Sequence, residues 1–146
     1  MKIFKSLLLV VLFILCRTIA YAEQSLLLGL GTPHIMNTYK TQGAIARYTY
    51  TLPVFQDLGI GYSLSLGSAN FAGSDITLET KPASWLTIKS GVGFYKTSAN
   101  FTSHAAFPLG IALGSGRLRF EYLHISNGNL KLPNHGKEWV GLSLKF

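Results

Sequence analysis

The chain has 146 residues, a formal net charge of +7 and one cysteine. This length fits a single domain, and one cysteine excludes an internal disulfide framework as the source of stability. The positive charge suits anionic lipid or phosphate-bearing partners without proving either. Nothing in the sequence indicates a nucleic-acid partner.

The first 22 residues are expected to be a signal peptide and not part of the fold. Lys2 and Lys5 form a basic start, an apolar run follows over 7–15, and Ala20-Tyr21-Ala22 supplies the small residues of a cleavage site. The apolar run is too short to span a bilayer as a helix. The one cysteine also lies in this segment, so we expect a cysteine-free exported domain over 23–146.

The rest of the chain shows alternation with a period of two, and no convincing helical periodicity. In 58–67, for example, leucine, isoleucine and tyrosine alternate with glycine and serine. Successive side chains of a strand point to opposite faces, so each such segment has one apolar face and one small or polar face. Eight strands are predicted, at about 25–33, 42–52, 57–68, 75–82, 85–96, 103–114, 116–126 and 137–146.

Two all-β architectures fit this pattern, a soluble sandwich and an outer-membrane barrel. A barrel would turn the apolar face to lipid and the small, polar face to a narrow interior. Three features favour it: the non-apolar face is rich in glycine, the last alternating strand ends at Phe146, and long connections alternate with short ones. We therefore expect an all-β, eight-stranded antiparallel transmembrane β-barrel. The predicted long connections are 34–41, 69–74, 97–102 and 127–136, and the short ones are 53–56, 83–84 and 114–115.

Three polar residues stand out on the apolar face of the last two strands. His124 and Ser126 share the face of Leu118, Phe120 and Tyr122, and Glu138 shares that of Val140, Leu142, Leu144 and Phe146. An ionisable group on a lipid-facing wall is a functional hypothesis by default. Histidine can take the proton of a serine hydroxyl, and a carboxylate can orient the imidazole and stabilise its charged form. Ordinary readings stay open: an interfacial histidine, a serine that ends a strand, and a surface pair between Glu138 and Lys131 or Lys137.

The segment His-Ile-Ser-Asn-Gly-Asn-Leu-Lys-Leu-Pro-Asn-His-Gly-Lys-Glu, residues 124–138, resembles the C-terminal signature of the lipid A 3-O-deacylases of Gram-negative outer membranes, the PagL family. The resemblance covers about twenty residues strongly, and size and strand count fit the remainder. The matching positions are His124, Ser126, Asn127, Lys131, Pro133, Asn134, Gly136 and Glu138.

This resemblance implies a Ser-His-Glu triad of Ser126, His124 and Glu138 on the outer wall, acting on lipid A of lipopolysaccharide. The reaction would hydrolyse the ester at position 3 and release a 3-hydroxy fatty acid. Asn127 and Asn134 would donate hydrogen bonds to the oxyanion. The chain has Asn129 where the family carries glycine, with its own glycine at 128, which leaves open which backbone N–H contributes.

A lipid substrate cannot enter a filled, narrow barrel, so its groove is expected outside. Phe120, Tyr122, Val140 and Leu142 would line this groove. The lysines near the outer rim, where lipid A phosphates would lie, are Lys40, Lys96, Lys131 and Lys137; a solvated or lipopolysaccharide-bridging rim is the alternative. No metal or cofactor is expected, because the other histidines show no ligand spacing.

Three other functions are left open by the sequence. They are a non-enzymatic small outer-membrane barrel, an outer-membrane hydrolase of the phospholipase type, and a soluble periplasmic binding module. The sequence also leaves open a homodimer.

Overall fold

The computed structural model describes residues 22–31, 43–68, 70–96, 103–130 and 136–146. Residues 1–21 of the predicted signal peptide therefore lie outside the described residues. Among the residues that the structure describes, none belongs to a helix long and apolar enough to cross a membrane. The strands are β1 (Glu23–Gly31), β2 (Ala44–Phe55), β3 (Leu58–Gly67), β4 (Phe71–Ala83), β5 (Leu86–Tyr95), β6 (Ala105–Leu113), β7 (Leu118–Ser126) and β8 (Lys137–Lys145).

The eight strands form a closed antiparallel barrel in chain order. Each strand pairs with its sequence neighbours, and β1 also pairs with β8, so no sheet edge is left open. The predicted fold class, an eight-stranded antiparallel barrel, is confirmed. Closure satisfies the backbone donors and acceptors that an open edge would expose, which is what a strand structure needs inside a bilayer.

The two faces of each strand are divided as a membrane barrel requires. In β3, Ser63 is fully buried whereas its neighbour Leu64 is 50% exposed. The same inversion recurs around the wall, with polar side chains inside and large apolar ones outside. A soluble sandwich would show the opposite arrangement. The apolar outer surface is therefore the face that lipid can cover.

Paired charges and hydroxyls fill the middle of the barrel. Arg47 on β2 binds Asp75 on β4 through two N–H···O bonds of 2.5 and 2.7 Å, and the hydroxyl of Tyr95 also donates to Asp75. Lys89 on β5 binds Glu121 on β7 at 2.9 Å. Glycine makes room for this network: a Cβ on Gly93 would collide with the Asp75 side chain. The expected glycine-rich, charged interior is present.

An aromatic cluster occupies the upper end of the barrel, defined here as the end where β1 finishes and β2 begins. Phe71 stacks on Tyr95 at 5.4 Å between ring centroids and lies 4.9 Å from Trp139. All three side chains are at least 96% buried. At the opposite end, Glu23 binds Lys81 at 2.8 Å and lies 2.5 Å from Lys145. The described lumen is therefore packed with side chains along its length.

The strand boundaries differ most from the prediction at the start of β4 and the end of β2, and the other ends agree within two residues. Because of the longer β2, the connection to β3 is 56–57 and not the predicted 53–56. β4 begins at Phe71 and not near residue 75, so the predicted long connection 69–74 is wrong, and β3 and β4 are joined by 68–70 only. The strand begins earlier because the ring of Phe71 points inward and completes the aromatic cluster, which holds this residue in the sheet. β2 also runs on to Phe55, past Pro53, with a register shift between them that accommodates the missing N–H of proline.

Candidate active site on the outer wall

The last two strands bring His124 and Glu138 together. They are register partners in the antiparallel pairing of β7 with β8. Side chains directly opposite on one face are within contact range, and Nδ1 of His124 lies 3.2 Å from Oε1 of Glu138. Their side chains are 25% and 10% exposed, so the pair is partly shielded but reachable. The carboxylate thus accepts a hydrogen bond from one imidazole nitrogen, which leaves Nε2 as the nitrogen for chemistry.

Alternation in β7 explains why this pair lies outside the barrel. Leu123 and Ile125, on either side of His124, are 1% and 0% exposed and face the interior. Phe120, two strand repeats before His124, is 49% exposed. The inward leucine and isoleucine fix the register, because a slip of one residue would move both into the outer face. The histidine is therefore held outward by the burial of its neighbours.

Ser126 is the last residue of β7 and lies on the same face as His124. It is half-buried and pairs in register with Phe107 of β6. Residues two apart on a strand have their Cβ atoms roughly 6–7 Å apart, given the rise per residue. A serine hydroxyl and an imidazole on such positions can turn toward each other. The structure thus places all three predicted triad residues on one outer face, at the upper end of the barrel.

Gly136 packs against the imidazole of His124 near its Cε1 and Nε2 atoms. Its φ of +58° is in the left-handed region, where a side chain is disfavoured. A Cβ there would lie 2.9 Å from Cε1 and 3.5 Å from Nε2 of His124. The sequence alone identified Gly136 only as a position that matches the family signature. The structure shows that its missing side chain leaves room for the ring.

Tyr122 makes a further contact with the carboxylate. It precedes His124 by two residues on β7 and pairs in register with Val140, so it is a diagonal neighbour of Glu138. Its side chain shares the outer face with that carboxylate and is close enough to interact with it. The sequence predicted Tyr122 only as a lining residue, because alternation shows which face a residue shares but not which side chains meet across strands.

Asn127, predicted as an oxyanion donor, is fully buried at the turn after β7. Its Oδ1 accepts a hydrogen bond of 3.0 Å from the backbone N–H of Asn129. This is the local bond by which asparagine shapes a turn, and Gly128 and Asn129 complete it with positive φ values. The side chain therefore does not face the outer wall in this structure. Asn134 and Lys131 lie outside the described residues.

The predicted groove residues lie on the outer face. Phe120 and Leu142 are register partners with 49% and 53% exposure, and the next outward pair is Tyr122 with Val140. Beside them runs an apolar groove of about 480 Å³ between β7, β8 and β1. Its lining consists of Leu26, Leu28, Leu30, Leu118, Val140, Gly141, Leu142 and Leu144.

Lys137 faces away from this groove. Its Nζ lies 5.1 Å from the ring centroid of Phe71, which belongs to the inward aromatic cluster. Its position in β8, one residue before the outward Glu138, puts it on the opposite face of the strand. Lys96, by contrast, is exposed directly after β5 at the upper end. No group of three or more potential metal-ligating side chains occurs within the described segments.

Comparisons with known proteins bear on the fold and on the family of the chain. A search of the curated proteins found no match. Among solved structures, the chain is similar to the outer membrane protein Ail of Yersinia pestis, whose backbone was determined in a phospholipid bilayer nanodisc. The TM-score is 0.55 at 14% identity, over 86% of this chain and 99% of that one, which supports the fold alone.

The family comparison is more specific. The model of the family described as "Lipid A 3-O-deacylase (PagL)" matches residues 38–146. This match takes in β2 to β8 and therefore every described residue of the candidate site. The chain belongs to the PagL family of lipid A 3-O-deacylases, hydrolases of the outer membrane.

Proposed function

We propose that the chain removes the 3-O-linked acyl chain of lipid A with a triad of Ser126, His124 and Glu138 on its lipid-facing wall. The observation that carries this proposal is the hydrogen bond of 3.2 Å between His124 and Glu138 on a predominantly apolar outer face. Such a pair is costly next to lipid and has the orientation that a general base requires. The filled lumen supports a site outside the barrel.

The chemistry follows the ordinary course of a serine esterase. Ser126 Oγ attacks the ester carbonyl at position 3 while Nε2 of His124 takes the hydroxyl proton. The tetrahedral intermediate collapses, the glucosamine 3-oxygen leaves with that proton, and the acyl group stays on Ser126. Water, deprotonated by the same imidazole, then attacks the acyl-enzyme and releases the 3-hydroxy fatty acid. Glu138 keeps the imidazole oriented and stabilises its charged form in both halves.

The oxyanion needs donors of its own. We assign the side-chain amide of Asn134 to this role, as the family signature implies, at a contribution of roughly 3–4 kcal/mol. Asn127 acts in this proposal by holding the turn that follows Ser126, because its side chain is fully buried and its Oδ1 accepts a hydrogen bond from the N–H of Asn129. The upper end then corresponds to the outer leaflet, and residues 1–22 act as the export signal that is removed.

In this proposal, the acyl chain of the bound lipid A extends from the site along the outer wall of the barrel. Phe120 and Leu142, with Val140 and Tyr122 next to the triad, present apolar surface in the direction of the groove between β8 and β1. Apolar contact of this kind contributes about 25 cal/mol per Å² of buried surface. The phosphates would lie above, near the exposed Lys96, and Lys131 stays a phosphate-binding residue by the family signature alone. Lys137 belongs to the interior by its contact with Phe71.

Mass spectrometry of lipid A from cells that express the chain tests the proposal. Wild type should remove one 3-hydroxyacyl group, and Ser126→Ala should not. Ser90→Ala is the matched control, because Ser90 is also exposed on the wall, on β5. Heat-modifiable migration on gels shows that each variant is a folded barrel. Unchanged lipid A with a folded wild type, or full activity of Ser126→Ala, would contradict the proposal. Phospholipid turnover by the same membranes would identify a hydrolase of the phospholipase type instead.

A further inference from the structure

Tyr122 stands out because it is polar, lies on the apolar wall and meets the one carboxylate of the candidate site. The pairing of β7 with β8 sets His124 opposite Glu138 and Tyr122 opposite Val140. Glu138 is therefore reached from two positions of the same strand, directly by the histidine and diagonally by the tyrosine. Diagonal neighbours in a sheet are within reach of aromatic side chains, so the Tyr122 hydroxyl is placed to donate a hydrogen bond to the Glu138 carboxylate.

The surroundings of Glu138 make a second donor useful. The residue is only 7% exposed, and its outward neighbours across the two strands include Val140. A carboxylate with little water around it must be hydrogen-bonded to remain ionised. Rotation about the last torsion of the carboxylate would turn the accepting oxygen away from the imidazole. A phenol that donates to it from the other side restricts that rotation.

We propose that Tyr122 is a positioning residue, which acts through Glu138 by holding the carboxylate in the orientation that the imidazole of His124 requires. This inference rests on the proposed function of the triad. It gives Tyr122 a role different from that of Phe120 and Leu142, which only line the path of the acyl chain. The hydroxyl, and not the aromatic ring, carries the effect.

A double-mutant cycle tests the proposal. Wild type, Tyr122→Phe, Glu138→Gln and the double variant are compared on lipid A in mixed micelles, with enzyme in excess over long incubations so that residual rates are measured. Tyr122→Phe should lower kcat about 10- to 100-fold, the range for one lost hydrogen bond to a charged group. KM should stay within about twofold, and the substitution should have no further effect once Glu138 is changed. Tyr62→Phe, on the exposed wall of β3, is the control and should behave as wild type.

Two results would overturn this inference. A rise in KM with kcat unchanged would make Tyr122 a lining residue. An equal loss in the presence and absence of the Glu138 carboxylate would show that the tyrosine does not act through it. Ser126→Ala in the same assay distinguishes failure of this inference from failure of the proposed triad. Full activity of Ser126→Ala would contradict the proposed function, whatever the result for Tyr122→Phe. Gel migration confirms that the phenylalanine variant, which keeps the ring, is folded.

Discussion

Two polar networks of this barrel use similar side chains in opposite surroundings. Inside, Arg47, Asp75 and Tyr95 form a cluster in which the charged side chains are 1% and 0% exposed. Outside, His124 and Glu138 form a pair with 25% and 10% exposure. No substrate can reach the first network without unfolding the barrel. The second opens onto the wall, so it is available to a molecule in the bilayer.

The comparison shows how burial separates structural from chemical roles. A carboxylate that accepts two N–H groups of a buried guanidinium is held in place by that pairing, and its role is to join strands. A carboxylate bound to an imidazole leaves the second ring nitrogen able to take and return a proton. The same contrast predicts that changes inside lower stability and that changes outside lower turnover. Four predictions test this division.

The largest expected effect is on turnover. Ser126→Ala, and His124→Ala equally, should reduce deacylation by at least about 10⁴-fold, because members of a catalytic unit fail together. The free energy of unfolding of Ser126→Ala should change by less than about 0.5 kcal/mol, since this residue lies on the outer face at the end of its strand. Lipid A turnover and urea unfolding in lipid vesicles measure the two quantities. If Ser126→Ala lost much of its stability but kept its turnover, the division into a structural network inside and a catalytic pair outside would be wrong.

The second prediction concerns the interior. Asp75→Ala should lower the free energy of unfolding by about 3–5 kcal/mol, because it leaves the Arg47 guanidinium charged and unpaired in the lumen. The folded fraction should keep its turnover number. The double variant Arg47→Met with Asp75→Leu removes both charges and should recover most of the stability. If the double variant did not recover stability, the destabilisation by Asp75→Ala would come from lost packing around Tyr95 and not from the lost ion pair.

The third prediction concerns a substitution that displaces the imidazole of His124 without changing any residue of the triad. Gly136→Ala should lower kcat about 100-fold, because its Cβ would lie 2.9 Å from Cε1 of His124 at a φ of +58°, and small misplacements cost this much. Gly116→Ala is the matched control, since nothing lies within 4 Å of the added Cβ. Steady-state kinetics on lipid A micelles measure both. If Gly136→Ala kept the wild-type kcat, the position of the His124 ring in this structure would not be the one that the reaction requires.

The smallest effect is expected at Lys137. Its ammonium lies over Phe71 in the interior, so Lys137→Ala should cost about 1 kcal/mol of stability and leave KM for lipid A unchanged. Vesicle unfolding and kinetics at two salt concentrations measure these quantities. A several-fold rise in KM would place the lysine in the phosphate site, as the sequence predicted.

The period-two pattern was enough to predict eight strands, their faces and the side on which His124, Ser126 and Glu138 lie. Alternation cannot determine register, and register is what makes Tyr122 a neighbour of Glu138. The start of β4 was missed because Phe71 is held in a strand by Tyr95 and Trp139, which are distant in sequence. The buried position of Asn127 was also beyond the sequence, since it depends on a hydrogen bond within the turn.

The most direct measurement is covalent labelling of the serine in outer-membrane vesicles with a lipid-soluble fluorophosphonate. Peptide mass spectrometry should find the adduct on Ser126 of wild type. It should be absent from His124→Ala and strongly slowed in Glu138→Gln, because the hydroxyl reacts only when the oriented imidazole takes its proton. An active protein labelled on another residue, or labelled on Ser126 equally well without His124, would contradict the assignment of the outer wall as the catalytic surface.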